Sequence, residues 1–163
     1  MTQTPDESAA ATAPADGEEF GTVPALQAAL RAEHAAVYAY TYIGARSGES
    51  QRERCYTHLD AHRAQRDTLR VELRDQGAEP DRGNAAYDLP DSDSDADLDE
   101  YARSVERQVS QAYLELAATP DTAVRDLALR SLQDATLRGM EWGTELAVYP
   151  GFAQGAPPPH DSW

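Results

Sequence analysis

Apolar side chains recur along residues 24 to 46 at alternating steps of four and three, with Leu26, Leu30, Val37, Tyr40 and Gly44 on one line and Glu33 in the middle of it. That spacing keeps one face of an α-helix turned inward, so the segment reads as an amphipathic helix from Pro24 to about Arg46. A buried carboxylate without partners is costly, and Glu33 therefore needs compensation inside the fold. The same period returns three times. Cys55, Leu59, His62, Arg66, Leu69 and Leu73 line a helix from about Glu49 to Gln76, closed by Gly77. Leu98, Ala102, Val105, Val109, Ala112 and Leu116 form a wholly apolar seam from about Asp95 to Ala118, with Asp residues in a first turn whose dipole favours them. After Thr119 and Pro120, a fourth helix is predicted to about Leu146, with Val124, Leu127, Ala128, Leu132, Ala135 and Trp142 inward and Asp134 and Arg138 flanking.

Four such helices predict an all-α four-helix bundle built from two hairpins. The eighteen residues from Gly77 to Ser94 can extend roughly 60 Å, whereas a 25-residue helix is about 37 Å long, so this link is able to cross the whole bundle. The layout expected is an acidic disordered arm over residues 1–22, the bundle over 23–148, and a flexible tail over 149–163 in which Tyr149 and Phe152 are the side chains able to fold back.

Composition adds few constraints. The net charge of −15 draws five of its acids from residues 1–22 and seven from residues 88–100, so the acidity belongs to the arm and the link. The fourteen basic residues, all arginine, are dispersed along the helices rather than gathered into a patch, which argues against nucleic acid as a partner. Cys55 is the single cysteine, which excludes an internal disulfide and a Cys-based metal knuckle and leaves a small buried apolar residue. The N-terminus carries acids where a secretion signal has basic residues, and no stretch approaches the ~20 apolar residues that span a bilayer, so a soluble cytoplasmic protein is expected.

At mid-length the four helices carry Glu33, His62, Glu106 and Asp134 as inward polar candidates, one per helix, although Glu106 falls beside its apolar seam. Carboxylates and an imidazole in one layer of a bundle core are the residue types that carboxylate-bridged metal sites use. The stretches AEHAAVYAY, HLDAHRAQRD and LQDATLRGMEW resemble the ferritin-like superfamily, and in detail an uncharacterised bacterial ferritin-like domain family of unknown function, over about residues 24 to 146. In metal-loaded members of that superfamily, the first and third helices each give a Glu, and the second and fourth each give Glu-x-x-His. This chain departs twice: Leu59 stands three before His62, and Leu137 three after Asp134.

One turn beyond His62 stands Arg66, and one turn beyond Asp134 stands Arg138. Guanidinium groups aimed at buried carboxylates supply the charge and donors that metal ions would, so a core polar layer of Glu33, His62, Arg66, Asp134 and Arg138 is expected, with no cofactor. The bundle would then be a non-catalytic scaffold that acts by association, as a homodimer or with another protein. The alternative is a metal-dependent oxidoreductase holding iron, manganese or zinc through Glu33, His58, His62, Glu106 and Asp134, since His58 and His62 are an i, i+4 pair.

Three further signals are weaker. His34 adjoins Glu33 but projects about 100° away around the helix. DSDSDADLDE, residues 91–100, alternates Asp like a calcium loop but has Ala96 at the turn position and Ala102 at the twelfth. Tyr38, Tyr40 and Tyr42 step by two, so Tyr40 is core and at least one of the others is expected on the surface, as a candidate dimer face.

Overall fold

The computed structural model describes residues 21–145; the arm before Gly21 and the tail after Glu145, where two of the expectations above fall, lie outside the described residues. The elements are α1 (Thr22–Arg46), α2 (Glu49–Asp75), α3 (Asp95–Leu116) and α4 (Thr122–Glu141), with no strand among the described residues.

Local chemistry sets the ends. Ser94 caps α3 by accepting from the Asp97 amide, and Asp121 caps α4 by accepting from those of Ala123 and Val124. Gly77, at φ 76°, stops α2. α4 stops at Glu141, short of the expected Leu146. There Gly143 adopts φ 85°, its N–H bonds Met140 O at 2.9 Å, and the Thr144 N–H bonds Gly139 O at 2.9 Å. This is the pair of reversed bonds with which a glycine ends a helix and turns the chain back.

α1 runs antiparallel to α3, because Tyr40 meets Glu106 while Glu33 meets Tyr113, and to α2, because Glu33 meets His62 while Gly44 lies beside Cys55. α2 and α3 are therefore parallel, and the link between them traverses the bundle. It follows a second face of α1, one that the apolar period does not mark. Gln27 donates to Glu79 O at 2.7 Å and accepts from the Asp81 amide at 2.9 Å. Arg31 pairs with Asp81 at 2.5 Å, and the Tyr38 and Tyr87 rings meet at 5.3 Å. Tyr42 and Arg46 both bond Asp93, at 2.5 and 3.1 Å. Tyr38 and Tyr42, one of them expected on the surface, are thus both half-buried under the crossover. Gln27→Ala removes two bonds, each worth about 1 kcal/mol. The Asp81 amide is expected to exchange with solvent at least ~10-fold faster while the helices keep their protection, an outcome that amide exchange followed by NMR would test.

Candidate functional site

Each helix turns one long polar side chain into the centre at the same height. Glu33 and His62 are fully buried, Glu106 is 2% exposed and Arg138 8%. His62 lies between the two carboxylates, its Nδ1 2.7 Å from Glu33 Oε2 and its Nε2 3.0 Å from Glu106 Oε1. A neutral imidazole carries one N–H, so only the imidazolium donates to both. Burial disfavours that charge, yet the bonds to Glu106 and Glu33 outweigh it and raise the His62 pKa above 6.5. Burial likewise pushes Glu106 up, but the His62 bond, the charges of His62 and Arg138 and the Tyr40 bond hold it below its ordinary value. Arg138 Nε donates to both Glu106 oxygens, at 3.3 and 3.2 Å. The layer thus sets two anions against two cations.

Two tyrosines complete it. Tyr40 donates to Glu106 Oε1 at 2.6 Å and stacks on the His62 ring at 5.0 Å, while Tyr113 donates to Glu33 Oε1 at 2.7 Å. Burial and the adjacent carboxylates raise both hydroxyls well above 10, so they remain donors. The arrangement has an internal two-fold. Glu33 and Tyr40 are seven residues apart on α1, Glu106 and Tyr113 seven apart on α3, and each member of the second pair follows its twin by 73 positions. At that offset His62 is matched by Ala135, and Gln65 by Arg138. The second hairpin therefore lacks the imidazole and supplies a guanidinium one turn further along.

Of the residues expected in the layer, Glu33, His62 and Arg138 lie together there, and so does Glu106. Asp134 and Arg66 do not. The buried row of α4 runs Val124, Ala128, Ser131, Ala135, Arg138, which leaves Asp134 exposed on the neighbouring row. Arg66 stands on the edge of the α2 seam, where its long stem lets the guanidinium reach solvent, and it pairs with Asp67 at 2.9 Å. His58 belongs to a second, smaller cluster. Its Nδ1 accepts from the Trp142 indole at 3.0 Å, which leaves the ring hydrogen on Nε2, 2.9 Å from Glu141. Burial lowers the His58 pKa against the pull of Glu141. His34 is half-buried with its Nε2 3.3 Å from Asp81 O, and Cys55 is buried. In the acidic stretch, Asp93 holds Tyr42 and Arg46, Asp97 bonds Ser92 and Ser94, and Asp99 accepts from Gln51, so these side chains dock and cap the crossover.

The donor set also bears on metal. The two nitrogens of an imidazole point away from each other, so His62 facing a carboxylate on each side prevents Glu33, His62 and Glu106 from converging on one cation. Among the described residues no group of three or more His, Cys, Asp or Glu side chains is arranged to hold one. A di-metal centre, which draws on about six ligands from four helices, does not fit these residues as they are placed.

The crystal structure of a conserved hypothetical protein from Mycobacterium tuberculosis is similar at a TM-score of 0.72 and 26% identity, covering 78% of this chain and 97% of that one. A dodecameric thioferritin, the bacterioferritin-related protein from Bacteroides fragilis, superimposes at a TM-score of 0.67 over 74% of this chain and 81% of its own. At 18% identity it speaks for the ferritin-like fold alone. No curated protein matches the chain. The family model described as Domain of unknown function (DUF4439) matches residues 25–154, all of the bundle but the first three residues of α1, and a short stretch beyond it. This chain belongs to that family, whose fold here is a ferritin-like four-helix bundle with a long crossover.

Proposed function

We propose that the protein is a non-catalytic scaffold or interaction protein, in which a buried ion-pair layer stands where metal-loaded ferritin-like proteins hold two cations. One observation carries the reading: His62 spends both ring nitrogens on the two carboxylates that a di-metal centre would need free. Arg138 adds a fixed positive charge against Glu106, which a metal ion would have to approach at a Coulomb cost. Burial of every member of the layer also favours a structural role. Paired charges in a core cost desolvation, and their best-attested use is to fix register, here that of α1 against α3 and α4. Action by association is supported by the exposed apolar side chains Leu129, Leu137 and Met140 on α4. The assembly of the Bacteroides fragilis thioferritin into a dodecamer is a precedent for this fold.

Elemental analysis of protein purified without chelator tests the proposal. Far less than one iron, manganese or zinc per chain is expected, with no oxygen consumption on addition of ferrous iron and no rise in melting temperature with excess metal. Stoichiometric metal that disappears in His62→Ala would overturn the reading in favour of a metal-dependent oxidoreductase, with Glu33, His62 and Glu106 the first ligands to test.

A further inference from the structure

Where the crossover lies across α1 it leaves a pocket of about 500 Å3, whose walls include His34, Tyr38, Tyr42, Arg46, Gly83 and Tyr87. That volume is in the range of sites for small organic molecules. His34, Tyr38, Tyr42 and Arg46 follow one another at steps of four, so α1 lays an imidazole, two phenol rings and a guanidinium in a row along one wall. From His34 to Tyr42 the helix rises about 12 Å, the length of a fused-ring system rather than of a single ring. Tyr87 stands against this row from the crossover, its ring centre 5.3 Å from that of Tyr38. At the far end the Arg46 guanidinium lies over the Tyr42 ring at 3.7 Å, a stacked pair that continues the aromatic wall.

The polar groups of the pocket narrow what fits it. The ion pairs that flank it, Arg31 with Asp81 and Arg46 with Asp93, cancel, so nothing there selects an ion. The Asp81 carbonyl can only accept, so the hydrogen of the His34 ring sits on Nε2, 3.3 Å from it. Burial lowers the pKa of that ring below 6.5, and at neutral pH Nδ1 is therefore an acceptor. Gly83 keeps this nitrogen open. Its φ is not positive, so the backbone does not call for glycine, yet a Cβ there would stand 3.0 Å from His34 Nδ1. The Tyr87 hydroxyl accepts from the Asn84 amide at 2.9 Å and keeps its own hydrogen to give.

We propose that this pocket binds an uncharged fused-ring aromatic heterocycle, its face against the Tyr38 and Tyr87 rings and a ring N–H donated to His34 Nδ1. The site shares no side chain with the ion-pair layer, so it stands whether or not that layer is purely structural. Titration of the full chain into riboflavin, an uncharged fused-ring heterocycle with one imide N–H, tests it, and N3-methylriboflavin lacks that hydrogen. Saturable quenching of the flavin fluorescence at one ligand per chain is expected, with the methyl derivative roughly tenfold weaker, the worth of one hydrogen bond. His34→Phe keeps a flat ring but removes the acceptor, and should weaken riboflavin by the same factor with little further loss for the methyl derivative. Gly83→Ala sets a methyl group beside Nδ1 and should weaken riboflavin at least tenfold, with a melting temperature within about 3 °C of the unmodified protein. The absence of saturable quenching, or equal affinity for riboflavin and its methyl derivative, would overturn the proposal. So would binding that neither substitution weakens, which would place the flavin elsewhere on the protein and leave the tyrosines to dock the crossover alone.

Discussion

His62→Ala is expected to cost about 3–5 kcal/mol, the scale on which one member of a buried ion pair is removed and its partners stay behind uncompensated. The substitution leaves Glu33 and Glu106 facing each other across a void at the centre of the bundle, with only Arg138 to offset two negative charges. A bundle of this size loses roughly 3–6 °C of melting temperature per kcal/mol, so a drop of about 10–20 °C is anticipated in a thermal melt. Glu33→Gln should cost less. Its amide oxygen can still accept from Tyr113, which bonds Oε1, and the amide nitrogen in place of Oε2 can donate to Nδ1 of an imidazole that has surrendered its second proton. A loss within ~0.5 kcal/mol for His62→Ala, the range of an ordinary surface change, would mean that the layer is not the electrostatic centre of the fold.

Stability should also fall on the alkaline side, through the proton that His62 holds in the folded state. His62 has a folded-state pKa above its ordinary 6.5, so the native protein keeps a proton that the unfolded chain releases. Its contribution is complete below about pH 6.5 and is lost as pH rises from there through the raised value, at up to about 1.4 kcal/mol per pH unit. Glu106 has the opposite sense: held below 4.5, it contributes above that pH and loses its contribution as pH falls through its folded-state value. His58 also acts on the acid side, because below pH 6.5 the unfolded chain takes up a proton that the indole-bonded ring resists. Melting temperature against pH should therefore peak near pH 6.5 and decline both ways, with the alkaline decline abolished in His62→Gln. A flat profile between pH 7 and 9 in the unmodified protein would mean that the native layer holds no proton that the unfolded chain has released.

How far the layer could be read from the chain depended on helix periodicity. Glu33 and His62 sit in the middle of apolar rows, so their burial followed from spacing alone. Glu106 did not, because α3 buries a wider face than a strict alternating seam: Glu106 and Tyr113 form a row alongside Val105, Val109 and Ala112. The missed signal was the Glu-to-Tyr step of seven residues, present in both α1 and α3. Each step puts a donor and an acceptor on one stripe two turns apart, so antiparallel helices exchange two hydrogen bonds. Arg66 and Asp134 stand beside buried rows, where periodicity alone cannot say which long or charged side chains reach water. The seat of the crossover was hidden for a different reason. Gln27, Arg31, Tyr38, Tyr42 and Arg46 meet an irregular segment, and polar side chains on a helix do not announce which loop will lie across them.

The exchange of hydroxyls between α1 and α3 has a consequence for how the two halves of the chain depend on each other. Tyr40 of the first hairpin serves the glutamate of the second, and Tyr113 of the second serves the glutamate of the first. The fold is in this respect a dimer of hairpins written on one polypeptide, each half carrying the same lock and the same key. A hairpin by itself would bury its carboxylate short of one donor, so neither half gains much by folding first. A chain severed within the crossover would leave two fragments whose best-matched surface is each other.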